Sequence, residues 1–184
     1  MIDSFWGNIF RGPDKEKENI RKTLKKIPIF EGLTKKELAA VERILHRREY
    51  KSGEIIFYQG EPAAGMYIIE QGKVKVYLEA TQQVLVELHD GDFFGELGLL
   101  DDSPRSATVI ATMDSTMLGL FKTDLLELIS HSPRLGVKII LQLSTVLGRR
   151  LRKSNDQVQA LQVKLHTLTQ KRKANAGKTD AKEQ

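Results

Sequence analysis

The amino-acid sequence predicts a mainly β protein with flanking helices: an eight-stranded jelly roll (double-stranded β-helix) followed by a long C-terminal coiled-coil helix. Three observations predict this fold class. About eight short runs rich in β-forming residues lie between residues 50 and 121, separated by turn residues. No segment of helical length alternates with these runs, which disfavours a parallel α/β sheet. Beyond residue 140, apolar residues recur with heptad spacing.

Composition and charge limit the function classes. The chain has 184 residues, 40% of them apolar, and no cysteine, which excludes disulfides, cysteine-held iron–sulfur clusters and cysteine nucleophiles. No run approaches the roughly 20 apolar residues that cross a bilayer, and no secretory signal is visible, so we expect a cytoplasmic protein. The net charge of +5 is uneven, with +3 over residues 1–30, −5 over 31–148 and +7 over 149–184.

The N-terminal segment, residues 1–27, is predicted to be an apolar hook followed by a helix. If the hook is helical, Phe5, Trp6, Ile9 and Phe10 share one face. We expect the hook to pack on the body of the protein or on a dimer mate. Docking to a partner protein, or contact of residues 1–10 with a membrane surface, is the less favoured alternative.

The β domain is predicted to span residues 28–132. Thr34 and Glu37 form a capping box that begins a helix from about Lys35 to Leu45. Beyond Leu45 the period of the apolar residues changes from about 3.6 to 2, which indicates strands. The predicted strands are centred on Tyr50, Ile55–Tyr58, Met66–Ile69, Val74–Leu78, Val84–Leu88, Phe93–Phe94, Val109–Ala111 and Met117–Phe121.

The C-terminal helices are predicted to begin at Thr123-Asp124 and to be broken at Pro133. Residues 133–170 then form a dimerisation helix, and residues 171–184 a disordered basic tail. A seam with 4, 3, 4, 3 spacing predicts a parallel homodimer through residues 140–168. The alternative is that this helix lies along its own β domain. The seam residues are Ile140, Ser144, Leu147, Leu151, Ser154, Val158, Leu161, Leu165 and Leu168.

The segment from Phe93 to Thr108 is the candidate site. Gly95 to Leu100 resembles a single helical turn entered through a glycine, whose backbone N–H groups would form an anion cradle. Arg105 returns to the same place after a turn, and its guanidinium suits a phosphate with two exposed oxygens. Glu96 can accept hydrogen bonds from a sugar hydroxyl. The alternative is an Arg105–Glu96 ion pair that only closes the loop.

Several ordered motifs resemble the cyclic nucleotide-binding domain family, which includes the catabolite activator protein and the regulatory subunits of cAMP-dependent kinase. Phe94-Gly95-Glu96-Leu97-Gly98-Leu99 and Pro104-Arg105-Ser106-Ala107-Thr108 are similar to its phosphate-binding cassette. Ile29 to Leu33, Gly53 to Pro62 and Tyr67 to Val74 resemble its N-terminal motif, early hairpin and central strands. The resemblance covers residues 27 to 158.

This resemblance implies a binding site for cAMP, with cGMP as the alternative ligand, and no metal. Arg105 would hold the cyclic phosphate and Glu96 the ribose 2′-OH. Further contacts are implied at Gly95, Leu97, Ser106 and Ala107, and an apolar wall at Val76 and Leu85. Ser154 and Asn155 align with two polar residues that reach the base in the bacterial activators. Ser154 also lies on the heptad seam, so a small polar residue at a core position is its alternative explanation.

The sequence departs from the bacterial regulators because no helix-turn-helix pattern follows the long helix. We therefore expect no specific DNA binding, and a signal that passes through the dimer or an unknown downstream protein. A truncated transcription regulator and a ligand-free coiled-coil scaffold are the alternatives. We do not expect an enzyme, since the four histidines are scattered and show no metal-ligand spacing.

Overall fold

The computed structural model describes the backbone of residues 13–180 and the side chains of residues 18–169. The predicted hook at residues 1–12 lies outside the described residues, as do the last four residues. The chain divides into two compact units, with the boundary between Gln142 and Leu143. No helix in the described part of the chain is both long and apolar enough to cross a membrane.

Two short α-helices precede the strands. Helix α1 spans Pro13–Leu24, a 3₁₀ turn spans Pro28–Phe30, and helix α2 spans Lys35–Glu42. The predicted capping box is confirmed: the Glu37 amide donates to the Thr34 hydroxyl, and the Thr34 amide donates to the Glu37 carboxylate. Helix α2 ends earlier than the sequence predicts. Leu45 pairs instead with a C-terminal strand, so tertiary pairing overrides local helix preference.

Eight strands confirm the mainly β prediction. They form two antiparallel four-stranded sheets in a jelly-roll-like arrangement, with strand orders β1-β8-β3-β6 and β2-β7-β4-β5. The strand bounds are Leu45–Tyr50 (β1), Ile55–Phe57 (β2), Gly65–Gln71 (β3), Lys73–Tyr77 (β4), Val84–His89 (β5), Phe93–Phe94 (β6), Thr108–Ala111 (β7) and Ser115–Phe121 (β8).

The core of the β domain is formed by alternate residues from both sheets, as period-2 patterning requires. Tyr67 stacks on Phe94 with ring centroids 5.7 Å apart, and Phe57 lies 5.8 Å from Phe94. Burial of such side chains contributes roughly 1.5–3 kcal/mol each. The buried cluster comprises Tyr50, Phe57, Ile69, Val74, Phe94, Val109, Ala111 and Met117.

Two helices follow the strands: α3 spans Lys122–His131 and α4 spans Pro133–Asp180. Pro133 separates them, as predicted, because proline is tolerated at the first helical position but not within a helix. The structure differs from the sequence prediction at the C-terminal end, where residues 171–180 continue α4 instead of forming a disordered tail. Lysine, arginine and alanine dominate that segment, and all three favour helix.

A hydrogen bond joins α2 to the first turns of α4 within the first unit. Lys138 Nζ donates to Glu37 Oε1 at 2.6 Å. This bond, together with the Thr34 amide and hydroxyl, lowers the pKa of Glu37 to about 2.

Replacement of Glu37 with glutamine is therefore expected to lower stability only above the pH at which the folded carboxyl protonates. Since the folded pKa is depressed, the stabilisation is fully present above about pH 4.5 and is lost as the pH falls toward 2. Urea midpoints of parent and Glu37→Gln chains should differ at pH 6 and converge near pH 2. Glu31→Gln, at an exposed carboxylate, is the control. A constant difference at both pH values would contradict the prediction.

Candidate functional site

The glycine turn predicted by the sequence is present. A 3₁₀ helix at Glu96–Leu99 follows strand β6, and Gly95 precedes it with φ of 76°. This left-handed conformation favours glycine. A Cβ at Gly95 would lie 2.6 Å from Arg105 Nη1 and 3.3 Å from the Gly65 carbonyl oxygen. Both the backbone conformation and the available space therefore require glycine beside the arginine.

The backbone of Arg105 is fixed by the segment after strand β2. The Arg105 amide donates to the Glu61 carbonyl at 2.8 Å, and the Gly60 amide donates to the Arg105 carbonyl at 2.9 Å. A β-bridge between Pro62 and Pro104 lies beside these bonds. Arg105 therefore returns to the glycine turn from a rigid segment, as the proline before it predicts.

The side chain of Arg105 is buried, with 8% of its surface exposed. Its Nη1 donates to the Gly65 carbonyl at 2.7 Å and to the Gly95 carbonyl at 3.2 Å. The guanidinium carbon lies 4.0 Å from the centroid of the Phe57 ring. The Nε atom is buried and has no hydrogen-bond partner. A buried donor without a partner costs about 1–3 kcal/mol, and an acceptor atom that received a hydrogen bond from this N–H would remove that cost.

The predicted alternative, an ion pair between Arg105 and Glu96, is not formed. Among residues 18–169, no carboxylate lies within ion-pair distance of the Arg105 guanidinium. Burial lowers the pKa of Arg105, and the nearby Tyr67 and Glu61 oppose this shift. Two carbonyl oxygens and an aromatic face compensate the charge in place of a counter-ion. The Arg105 guanidinium therefore has no anionic partner among the described residues.

Glu96 is also buried, with 7% of its surface exposed, although it is a charged residue at the start of the short 3₁₀ helix. Of the other cassette residues, Ala107 is buried, whereas Leu97 and Ser106 are exposed. The Ser106 hydroxyl makes no hydrogen bond with another described side chain or backbone group. The cassette thus combines buried charged groups with accessible ones.

The two residues predicted to form an apolar wall lie on neighbouring strands of one sheet. Val76 in β4 is half-buried against the core and pairs with Val86 in β5. The register shifts after this pair, so Leu85 has no direct partner, and 51% of its surface is exposed. Ser154 and Asn155 are exposed on α4 in the second unit. Their role stays a prediction.

Sequence reasoning missed the groups that hold Arg105. Phe57 was recognised only as part of a strand, and Gly65 was not singled out. Both are distant in sequence, and strand pairing brings them to the site, which no local motif reports. A network beside the cassette was also missed: the Gln59 amide donates to the Thr108 hydroxyl at 2.9 Å, which donates to Glu79 at 2.5 Å. This network joins the β4–β5 hairpin to strand β7.

The described residues contain no group of three histidine, aspartate or glutamate side chains that could hold a metal ion. The candidate site combines a buried guanidinium whose Nε donor has no partner, a buried carboxylate at Glu96 and a turn entered through Gly95.

Comparisons with known proteins match a region that includes the candidate site. The family profile described as "Cyclic nucleotide-binding domain" matches residues 47–132. The chain is 36% identical over 135 residues to the "Cyclic AMP receptor protein" of Thermus thermophilus, which covers 72% of this chain and 61% of the relative. It is 38% identical over 101 residues to the "cAMP-dependent protein kinase regulatory subunit" of Dictyostelium discoideum, covering 52% of this chain and 31% of that one. The chain thus spans less than two thirds of these relatives.

Solved structures agree with the sequence matches. The catabolite activator protein of Thermus thermophilus superposes with a TM-score of 0.66 at 35% identity, covering 73% of this chain and 62% of that chain. A cyclic nucleotide-binding domain from Methylobacillus flagellatus superposes with a TM-score of 0.68 at 25% identity, covering 79% and 84%. The fold is therefore shared with these structures.

Proposed function

Because residues 47–132 of this chain belong to the cyclic nucleotide-binding domain family, we propose that the protein is a cyclic nucleotide sensor whose ligand is cAMP. The observation that carries this proposal is the buried Arg105 guanidinium, which has an unpartnered Nε and no counter-ion among the described residues. A buried charge without a counter-ion is costly, and an anionic ligand offsets that cost.

Different residues of the cassette bind different parts of the ligand. Arg105 donates in-plane hydrogen bonds to the cyclic phosphate, assisted by the amides near Gly95, Leu97 and Ala107 and by the Ser106 hydroxyl. Glu96 accepts a hydrogen bond from the ribose 2′-OH, since a carboxylate suits a sugar hydroxyl better than a phosphate.

The rest of the nucleotide is assigned to apolar and polar groups outside the cassette. Val76 and Leu85 supply apolar contact to the ribose and base, which fits the half-buried and half-exposed state of these two side chains. Ser154 and Asn155 on α4 are assigned to the base, and their polarity favours adenine in cAMP. The names of several relatives refer to cAMP, which supports the same choice.

The direct test is calorimetric titration of the full chain with cAMP, cGMP and AMP. We expect cAMP to bind with one site per chain, cGMP to bind more weakly, and AMP, which lacks the ring-closed phosphodiester, to bind at least about tenfold more weakly than cAMP. Equal binding of AMP and cAMP would contradict the proposed phosphate recognition. No heat with any nucleotide would favour the scaffold alternative, and ligand consumption would favour an enzyme.

We also propose that the signal passes through a parallel homodimer formed by α4. Several apolar seam residues of this helix are exposed in the single chain: Leu151, Val158, Leu161, Leu165 and Leu168. A stripe with heptad spacing gains stability by packing against a second copy. Ligand would then favour one arrangement of the long helix through its differential affinity for two states, and a downstream protein would respond.

The dimer can be tested with two substitutions of an exposed aliphatic residue by glutamate, one on the seam and one off it. Leu161 on the seam and Val163 off the seam are similarly exposed, at 64% and 67%. Leu161→Glu places two like charges opposite each other in a parallel dimer and should yield a monomer near 20.8 kDa in sedimentation equilibrium. Val163→Glu should remain a dimer. Dimerisation unaffected by Leu161→Glu would argue against the seam.

A further inference from the structure

A groove unrelated to the nucleotide site lies between α2 and the first turn of α4, within the first unit. Its volume is about 770 Å³. Ala39, Ala40 and Leu135 contribute apolar surface to it, and their small or buried side chains leave a concave floor. No residue that lines this groove is part of the phosphate cassette, so the groove is separate from the candidate nucleotide site.

Three cations surround this floor. Lys36, Arg43 and Arg134 line the groove and are exposed. Lys36 and Ala40 are spaced i, i+4 on one face of α2, and Arg43, the helical-conformation C-cap at i+7, follows on the same face. None of the three cations forms an ion pair with any side chain of residues 18–169. Their positive charge is therefore not neutralised locally.

The single carboxylate that lines the groove is already occupied. Glu37 accepts hydrogen bonds from Lys138 at 2.6 Å and from the Thr34 amide at 2.8 Å. Its pKa is lowered to about 2 by these bonds, so it stays ionised and engaged near neutral pH. The N-terminal end of α4 adds positive potential on the opposite wall. The groove is consequently cationic at its rim and apolar at its base.

From this combination we propose that the groove binds an acidic amphipathic helix of a partner protein. A helix lying between two helices would place its apolar side chains on the alanine and leucine floor. Its carboxylates would meet the three rim cations, which gives complementary charge and fixes its direction. Val137 and Leu141 do not line the groove, but both are exposed and follow Arg134 at i+3 and i+7, which places them on the same face of α4.

Other occupants match the groove less well. A membrane surface is flat and would not use a concave floor, and nucleic-acid phosphates would not use an apolar one. The chain's own hook, residues 1–12, is apolar and its single carboxylate, Asp3, is balanced by Arg11, so it lacks the acidic charge that the rim selects. The proposal goes beyond the nucleotide-sensing function, and its failure would leave that function untouched.

The test uses the full chain and a fluorescein-labelled synthetic helix of roughly 14 residues, with leucine at i, i+3, i+4 and i+7 and glutamate elsewhere. Fluorescence anisotropy should report binding of this peptide and at least about tenfold weaker binding of a scrambled peptide of the same composition. The triple variant Lys36→Glu/Arg43→Glu/Arg134→Glu should weaken binding by at least about tenfold, because three attractions become repulsions.

A matched variant separates local from overall charge. Lys25→Glu/Lys26→Glu/Arg149→Glu changes the net charge equally at exposed positions outside the groove, and should alter affinity by less than about twofold at physiological salt. Equal weakening by both triple variants, equal binding of the scrambled peptide, or no binding of the amphipathic peptide would overturn the proposal. Displacement of the probe by a synthetic peptide of residues 1–12, or by phosphatidylserine vesicles, would assign the groove to the hook or to a membrane and would also overturn it.

Discussion

Arg105→Ala is expected to weaken cAMP binding by roughly 30- to 5,000-fold. This range corresponds to a loss of about 2–5 kcal/mol of binding free energy, the usual cost of removing one partner of a buried charge pair. The guanidinium is the buried cation beside the glycine turn, and a phosphate left there would lose its charge-assisted hydrogen bonds. Arg105→Lys keeps the charge but loses the planar fork, so its affinity should fall between those of parent and alanine variant. Calorimetric titration of each variant with cAMP provides the measurement.

The same substitution distinguishes a binding residue from a structural one. Arg105 is desolvated and lacks a counter-ion among the described residues, so its loss also removes an unfavourable burial. We therefore expect the melting temperature of the ligand-free Arg105→Ala chain to lie within a few degrees of that of the parent. A change of about 1 kcal/mol in the free energy of unfolding would shift it by roughly 2–4 °C. Arg48→Ala is the matched control, because Arg48 also lies over an aromatic ring, at 4.7 Å from the Tyr50 centroid. Unchanged cAMP affinity in Arg105→Ala would refute the assigned phosphate contact.

Gly95→Ala is expected to lower cAMP affinity by at least about tenfold and to destabilise the chain by about 1–2 kcal/mol. Two causes act together: the left-handed φ of 76° and a Cβ only 2.6 Å from Arg105 Nη1. The added methyl group would displace the guanidinium from the Gly95 carbonyl. Titration with cAMP and urea unfolding of the same preparation measure the two effects.

Gly91→Ala separates these causes. Gly91 has a similar φ of 84°, but a Cβ there would meet nothing within 4 Å. The control should therefore reproduce the backbone strain without moving Arg105. We expect Gly91→Ala to lose no more stability than Gly95→Ala, and a loss of affinity only in Gly95→Ala. Equal affinity losses would show that strain in the loop, and not contact with the arginine, controls binding.

Local sequence signals predicted most of the fold because the strands alternate with glycine and proline turns. Their bounds in the structure lie close to the predicted runs, as at Phe93–Phe94. The boundary after α2 was less predictable, since only the pairing of Leu45 with Leu120 decides that Leu45 is a strand residue. The local geometry of the candidate site was predictable where it is contiguous, from Gly95 to Ala107. It was not predictable where Phe57 and Gly65 complete it, because strand pairing is not visible in one sequence.

Strand β5 is an outer strand of its sheet and carries the exposed run Val84, Leu85 and Val86. An exposed apolar run on an edge strand can pair through its free backbone groups with another molecule, which leads to aggregation. The register shift at Leu85 and the positive φ of Gln82 in the preceding loop bend this border. A bent edge strand presents too few aligned backbone N–H and C=O groups to pair with an incoming strand over its whole length. We therefore expect the irregularity at the predicted ligand wall to make this edge a poor template for pairing with a second molecule.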